Sequence, residues 1–148
     1  MIRVLKAFFP AVLLAYILGS VLATQTVLAK LAALGVAVPM TVRLQASLHD
    51  VIGMTAYLLL ILVAFVLALP VAAWLVRAHR VPGPRLFWFT LAGFAGVIAL
   101  HLIMNQVLGI WVIAAAREWP GLLLQGLAGA MGGWVFGVIS KNRLVATV

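Results

Sequence analysis

Long stretches without charge alternate with short charged segments along the whole chain. Residues 7–29, 51–76, 86–116 and 119–140 contain no Asp, Glu, Lys or Arg, in runs of 23, 26, 31 and 22 residues. A helix rises about 1.5 Å per residue, so about 20 apolar residues cross a hydrocarbon core of about 30 Å. All four runs are long enough. The pattern predicts an all-α polytopic membrane protein, one membrane domain over residues 1–148 with transmembrane helices at about 8–28, 48–76, 86–112 and 120–140. Short connections predict an antiparallel up-down bundle.

The segments between the runs refine this layout. Pro10 is expected in the first turn of span one, where a missing N–H costs little. The loop at 30–46 contains Gly35 and Pro39 but also Leu31, Leu34, Val36, Val38, Met40, Val42 and Leu44, enough to lie on the membrane surface and to include a short interfacial helix. Ser47 followed by Asp50 reads as a capping box opening span two, and Pro70 predicts a kink within it. The link 77–85 carries the breaker cluster Pro82, Gly83, Pro84, and Pro120 stands near the first position of span four. Arg3, Lys6, an apolar stretch and then Val21-Leu22-Ala23 also have the form of a secretory signal peptide. The stretch is expected to remain as the first span.

Composition agrees with the pattern: 67% of residues are hydrophobic and 8% charged, whereas a soluble surface needs about a quarter of its residues charged. No cysteine is present, which removes disulfides, thiolate metal sites and a cysteine nucleophile. The net charge of +8 reads first as topology. Arg3, Lys6, Arg77, Arg80, Arg85, Lys141 and Arg143 fall on one side. Lys30, Arg43 and Arg117 fall on the other with both acids, Asp50 and Glu118. The seven-to-three split puts both termini in the cytoplasm and anionic lipid against that face. Trp74 and Trp88 flank the link, and Trp111 and Trp119 the second outer turn, as interfacial belts do; Trp134 is the exception. No basic domain with interleaved aromatics is present, so no nucleic-acid partner is expected. Compactness, basic bias and the absence of an organelle-targeting segment suggest the bacterial inner membrane.

Membrane helices associate through small residues and interhelical hydrogen bonds. Span four offers Gly121, Gln125, Gly129, Gly133 and Gly137 at intervals of four, a repeated GxxxG ridge. It suits either packing within the bundle or an interface with a partner or a second copy. Polar residues inside a membrane are the default place to look for function. Counting from the proposed ends, Asn105 lies about 10 Å deep, His101 about 16 Å, Gln125 about 8 Å and Gln25 about 5 Å. His49 and Asp50 sit at the mouth of span two with Tyr57 two turns deeper. Gln25, His49, Asp50, Tyr57, His101, Asn105 and Gln125 thus form a candidate polar pocket in the outer half. Each also has a simpler packing role: Asp50 as a cap, His101 with Asn105 as a hydrogen-bonded pair four residues apart, the glutamines as helix glue.

Chemistry is hard to build from these groups. A bis-histidine haem would need His49 and His101 at one depth, but helix rise offsets them by about 15 Å, and His79 is in the link. A metal site of His49, Asp50 and His101 meets the same offset. Serine hydrolysis lacks a nucleophile with a neighbouring base, and one acid near the interior is thin support for proton coupling. No cofactor, metal or catalytic residue is therefore expected. Two functions remain. The first is a non-catalytic accessory or scaffold subunit that packs against a partner or itself through the glycine face of span four. The second is binding or transport of a lipid-like or quinone-like amphiphile in an outer pocket centred on His101 and Asn105.

Overall fold

The computed structural model describes residues 2–78 and 82–141, with side chains from Val4 to Ala78 and from Pro82 to Ser140. His79, Arg80 and Arg143, and the side chains of Arg3 and Lys141, lie outside the described residues. Five α-helices follow one another: α1 (Ile2–Ala33), α2 (Met40–Gly53), α3 (Thr55–Arg77), α4 (Arg85–Leu108) and α5 (Trp119–Lys141), with one 3₁₀ turn at Ala114–Arg117. Four of them, α1, α3, α4 and α5, are long and apolar enough to cross a membrane.

Two helix starts differ by several residues from those expected. The second span begins at Thr55, not near residue 48, because 40–53 forms a helix of its own. Ser47 and Asp50 therefore lie in the last two turns of α2 and do not cap α3. Met54 is the single residue between the two helices; its N–H bonds the Asp50 carbonyl and its carbonyl accepts from the N–H groups of Tyr57 and Leu58. The other difference is α1, which starts at Ile2 and puts Pro10 inside the helix rather than in its first turn. Pro70 likewise lies inside α3, which continues helical through it.

Two glycines end helices by adopting positive φ, which costs them nothing because they have no Cβ. Gly35 (φ 85°) follows α1, with Val36 N–H on the Leu31 carbonyl and Gly35 N–H on that of Ala32, a Schellman arrangement. Gly109 (φ 66°) stops α4 at Leu108, four residues short of the expected 112, and its N–H bonds the Asn105 carbonyl.

In the bundle α5 packs against α1 and α4, while α3 packs against α4 and α1. The α4–α5 contact is backbone on backbone: a Cβ added to Gly93 would overlap the Gly129 carbonyl, and one on Gly133 would overlap the Phe89 carbonyl. On the other side of α5, a Cβ on Gly132 would come 2.6 Å from the Ala11 carbonyl oxygen of α1. α1 presents Ala7, Ala11, Ala15, Gly19 and Ala23, four apart, all buried. The interior is filled by Ile61 and Phe65 from α3, Phe89 and Val97 from α4 and Phe136 from α5. In membrane helices such close packing supplies the association energy that hydrophobic burial supplies in water.

Candidate functional site

The polar side chains fall into two groups at different levels of burial. The first lies inside the bundle. Tyr57 of α3 donates its hydroxyl hydrogen to Gln125 Oε1 of α5 at 2.6 Å, and Gln125 Nε2 donates to the Gly19 carbonyl of α1 at 3.1 Å. The absence of a side chain at Gly19 makes this possible, since a Cβ there would stand 2.7 Å from the Tyr57 hydroxyl and 2.8 Å from Gln125 Oε1. The His101 ring of α4 meets the Tyr57 ring edge to face, with centroids 5.9 Å apart.

His101 is 1% exposed, and its Nδ1 lies 2.9 Å from the Val97 carbonyl. A carbonyl can only accept, so Nδ1 carries the hydrogen and Nε2 of the neutral ring presents a lone pair. That Nε2 is buried and has no hydrogen-bond partner. Asn105 follows one turn later and is half-buried, but it makes no side-chain hydrogen bond with His101, whose bond goes back to Val97. Buried polar atoms are nearly always satisfied, so an orphaned ring nitrogen marks a place where water or a ligand atom fits the chemistry.

The second group joins α2 to α1. Thr24 Oγ1 donates to Asp50 Oδ2 at 2.6 Å, the nearer of its two acceptors. Gln25 Nε2 donates to Ser47 Oγ at 2.9 Å, and Arg43 Nη1 donates to Gln25 Oε1 at 2.8 Å. Two turns away along α1, the Tyr16 hydroxyl donates to the Val51 carbonyl at 2.6 Å. α2 therefore turns its polar side, with Ser47 buried, toward α1. Its outward stripe is apolar: Met40, Leu44, Leu48 and Ile52, four residues apart, are all exposed. His49 stands outside, its side chain 87% exposed and 3.8 Å from Asp50 Oδ1.

The seven residues singled out in the sequence thus do not line one cavity. Tyr57, His101 and Gln125 come together in the interior; Gln25 and Asp50 belong to the α1–α2 seam; His49 is outside and Asn105 is at the margin. Tyr16, Ser20, Thr24 and Arg43 were not among them, although Tyr16, Ser20 and Thr24 recur every four residues on α1 and all are buried. That spacing was the available signal.

The glycine ridge of α5 is engaged within the chain. Gly121 faces the Ala115 carbonyl of the 3₁₀ turn, Gly129 and Gly133 face α4, and Gly137 faces Leu86 and Phe89; all four are buried. The ridge offers no free glycine face for a partner. A different small-residue surface is open: between α3 and α4 runs an apolar groove of about 470 Å³, with Ala64, Ala68, Ala92, Ala95, Gly96 and Ala99 among its lining residues.

At the opposite end from α2, Arg85 of α4 reaches the last turn of α5, donating to the Gly137 carbonyl at 3.2 Å and to Ser140 Oγ at 2.6 Å. Its guanidinium lies 4.6 Å from the centre of the Phe89 ring. Lys30 and Glu118 pair at 2.6 Å where α1 ends and α5 is about to begin. Compared with protein-family models, characterised proteins and solved structures, the chain matches none.

Proposed function

We propose that this four-span membrane protein is a non-catalytic accessory subunit, whose partner contact is a transmembrane helix seated in the α3–α4 groove. One observation carries the reading: an apolar groove open along the bundle, in which small residues alternate with larger ones such as Leu67, Val71 and Leu91, while the polar side chains that could do chemistry are largely bonded to one another. Small residues let two backbones approach, which is how helices recognise each other in lipid. The glycine ridge is not part of this contact, since α4 and the 3₁₀ turn already occupy it.

The arrangement in the membrane belongs to the same reading. An up-down antiparallel bundle is supported by two contacts: Arg85 at the start of α4 bonds Ser140 near the end of α5, and Lys30 near the end of α1 pairs with Glu118 just ahead of α5. The basic excess at the end holding Arg77 and Arg85 supports cytoplasmic termini in a bacterial inner membrane, with anionic lipid at that face. α2 then lies in the outer interface with its apolar stripe toward lipid.

The chain has no cysteine, so a single introduced thiol is unambiguous. Ala95→Cys in the groove is expected to cross-link in native membranes to one defined partner or to a second copy, while Leu13→Cys on the exposed side of α1 gives none. Equal labelling at both sites, or no adduct at Ala95, refutes the docking reading.

A second reading is favoured by one atom. The buried Nε2 of His101, an acceptor without a partner, suits a hydroxyl-bearing amphiphile, a quinol or a lipid hydroxyl, entering past Asn105. A His101→Phe protein that purifies with the same quinol or lipid as the natural chain removes this reading.

A further inference from the structure

A second cleft, of about 530 Å³, opens between α1 and α3 at the end of the bundle where α1 begins. Its walls are apolar, with Leu5 and Phe8 on one side and Val66, Leu69 and Ala73 on the other; Phe89 and Phe136, with rings 5.1 Å apart, lie behind them. Val4, Leu5 and Val66 are about half exposed, so the cleft communicates with the surrounding lipid. Along α3 it extends from Phe65 to Arg77, about 18 Å at the helical rise. One leaflet of hydrocarbon is about 15 Å deep, half of the usual 30 Å. The cleft therefore has the length of an acyl chain lying in one leaflet.

Its mouth is cationic. Arg77 and Arg85 both line it, and Ser140 adds a hydroxyl. Arg85 is held rigid by Gly137, Ser140 and Phe89, while Arg77 ends α3 and is exposed. The chain has only two acidic side chains, and both are at the far end of α1: Asp50 on Thr24 and Glu118 on Lys30. From Leu5 to Thr24 is already about 28 Å of helix. No acidic side chain of the chain can reach the two arginines, which leaves them open to an anion from outside.

We propose that this cleft is a binding site for one anionic phospholipid, with an acyl chain between α1 and α3 and the phosphate between Arg77 and Arg85. Arginine suits the role because its guanidinium is weakly hydrated and pairs with phosphate through two parallel N–H bonds. The apolar depth of the cleft distinguishes a lipid from a free anion, which would gain nothing from it. The site is independent of partner docking, since the α3–α4 groove lies on a different face of α3.

The full chain, delipidated and then equilibrated in micelles containing equal amounts of dioleoylphosphatidylglycerol and dioleoylphosphatidylcholine, tests this by native mass spectrometry. One phosphatidylglycerol is expected to be retained over phosphatidylcholine by about thirtyfold, the ratio corresponding to about 2 kcal/mol for two basic residues. Arg77→Gln is expected to reduce the preference about fivefold, the share of one basic residue; Arg117→Gln, with the same loss of charge at the other end, is expected to keep it in full. Ala73→Trp, which fills the cleft, is expected to lose both lipids, and circular dichroism establishes that each variant is folded. Equal retention of the two lipids by the natural chain overturns the proposal. So does loss of preference in Arg117→Gln to the same degree as in Arg77→Gln, or displacement of the lipid by an equal concentration of inorganic phosphate.

Discussion

Tyr57 and Gln125 are 68 residues apart in sequence and joined by a 2.6 Å hydrogen bond across the interior of the bundle. The helices that carry them, α3 and α5, each pack along α1 and α4. The bond is thus a brace between two helices held chiefly by their neighbours.

Tyr57→Phe leaves Gln125 Oε1 buried without its donor. The expected cost is about 1 kcal/mol, within the range for interhelical bonds in membrane proteins. Gln125→Leu instead leaves the Tyr57 hydroxyl and the Gly19 carbonyl unpaired, and only the double variant removes both ends of the Tyr57–Gln125 bond, so it is expected to be less destabilised than the sum of the singles. Reversible unfolding in mixed micelles, run as a double-mutant cycle, measures the coupling.

Backbone contact between α4 and α5 leaves no side chain that could move aside. Gly93→Ala and Gly129→Ala are each expected to cost about 3 kcal/mol or more. Gly53→Ala, at the end of α2, meets only a His49 carbon 4.0 Å away and is expected to change stability by less than about 0.5 kcal/mol. Equal melting temperatures for the Gly93 and Gly53 variants would contradict the packing.

The α1–α2 seam depends on short side-chain bonds. Thr24→Val combined with Gln25→Leu removes three of them and leaves the Asp50 carboxylate without its hydroxyl donor. Amide hydrogen exchange over 40–53 is expected to rise at least about tenfold, which corresponds to about 1.4 kcal/mol of lost protection, while exchange in α4 and α5 stays unchanged. Uniform acceleration along the chain would mean that α2 is integral to the bundle core.

The Lys30–Glu118 pair is the contrasting case. Its side chains are 47% and 61% exposed, so water and salt screen the pair. Glu118→Gln is expected to shift stability by less than about 0.5 kcal/mol, with no dependence on ionic strength beyond that of the natural chain.

The sequence made the spans legible wherever hydropathy alone decides. α5 begins and ends within one residue of the expected 120–140, because charged residues bracket an unbroken apolar run. It misled where a polar residue had two uses. Ser47 and Asp50 have the spacing of a cap, yet they face α1 from inside α2, a choice made by Thr24 and Gln25 some 22 to 26 residues earlier. The interior trio was only partly legible for the same reason. His101, Tyr57 and Gln125 were recognisable as buried polar residues, but only packing could show that Gly19 provides the gap in which two of them meet. The glycine ridge announced a close contact without naming the helix on its other side.

α2 gives the molecule an uneven outline. It packs along α1 near the end that holds Thr24 and Gln25, and nothing comparable widens the opposite end among the described residues. The footprint is that of five helices at one level and four at the other, a shallow wedge. A wedge sits with least strain where the two halves of a bilayer are unequally crowded. The difference between the two levels is one helix of fourteen residues, too short at about 21 Å to cross a core of about 30 Å.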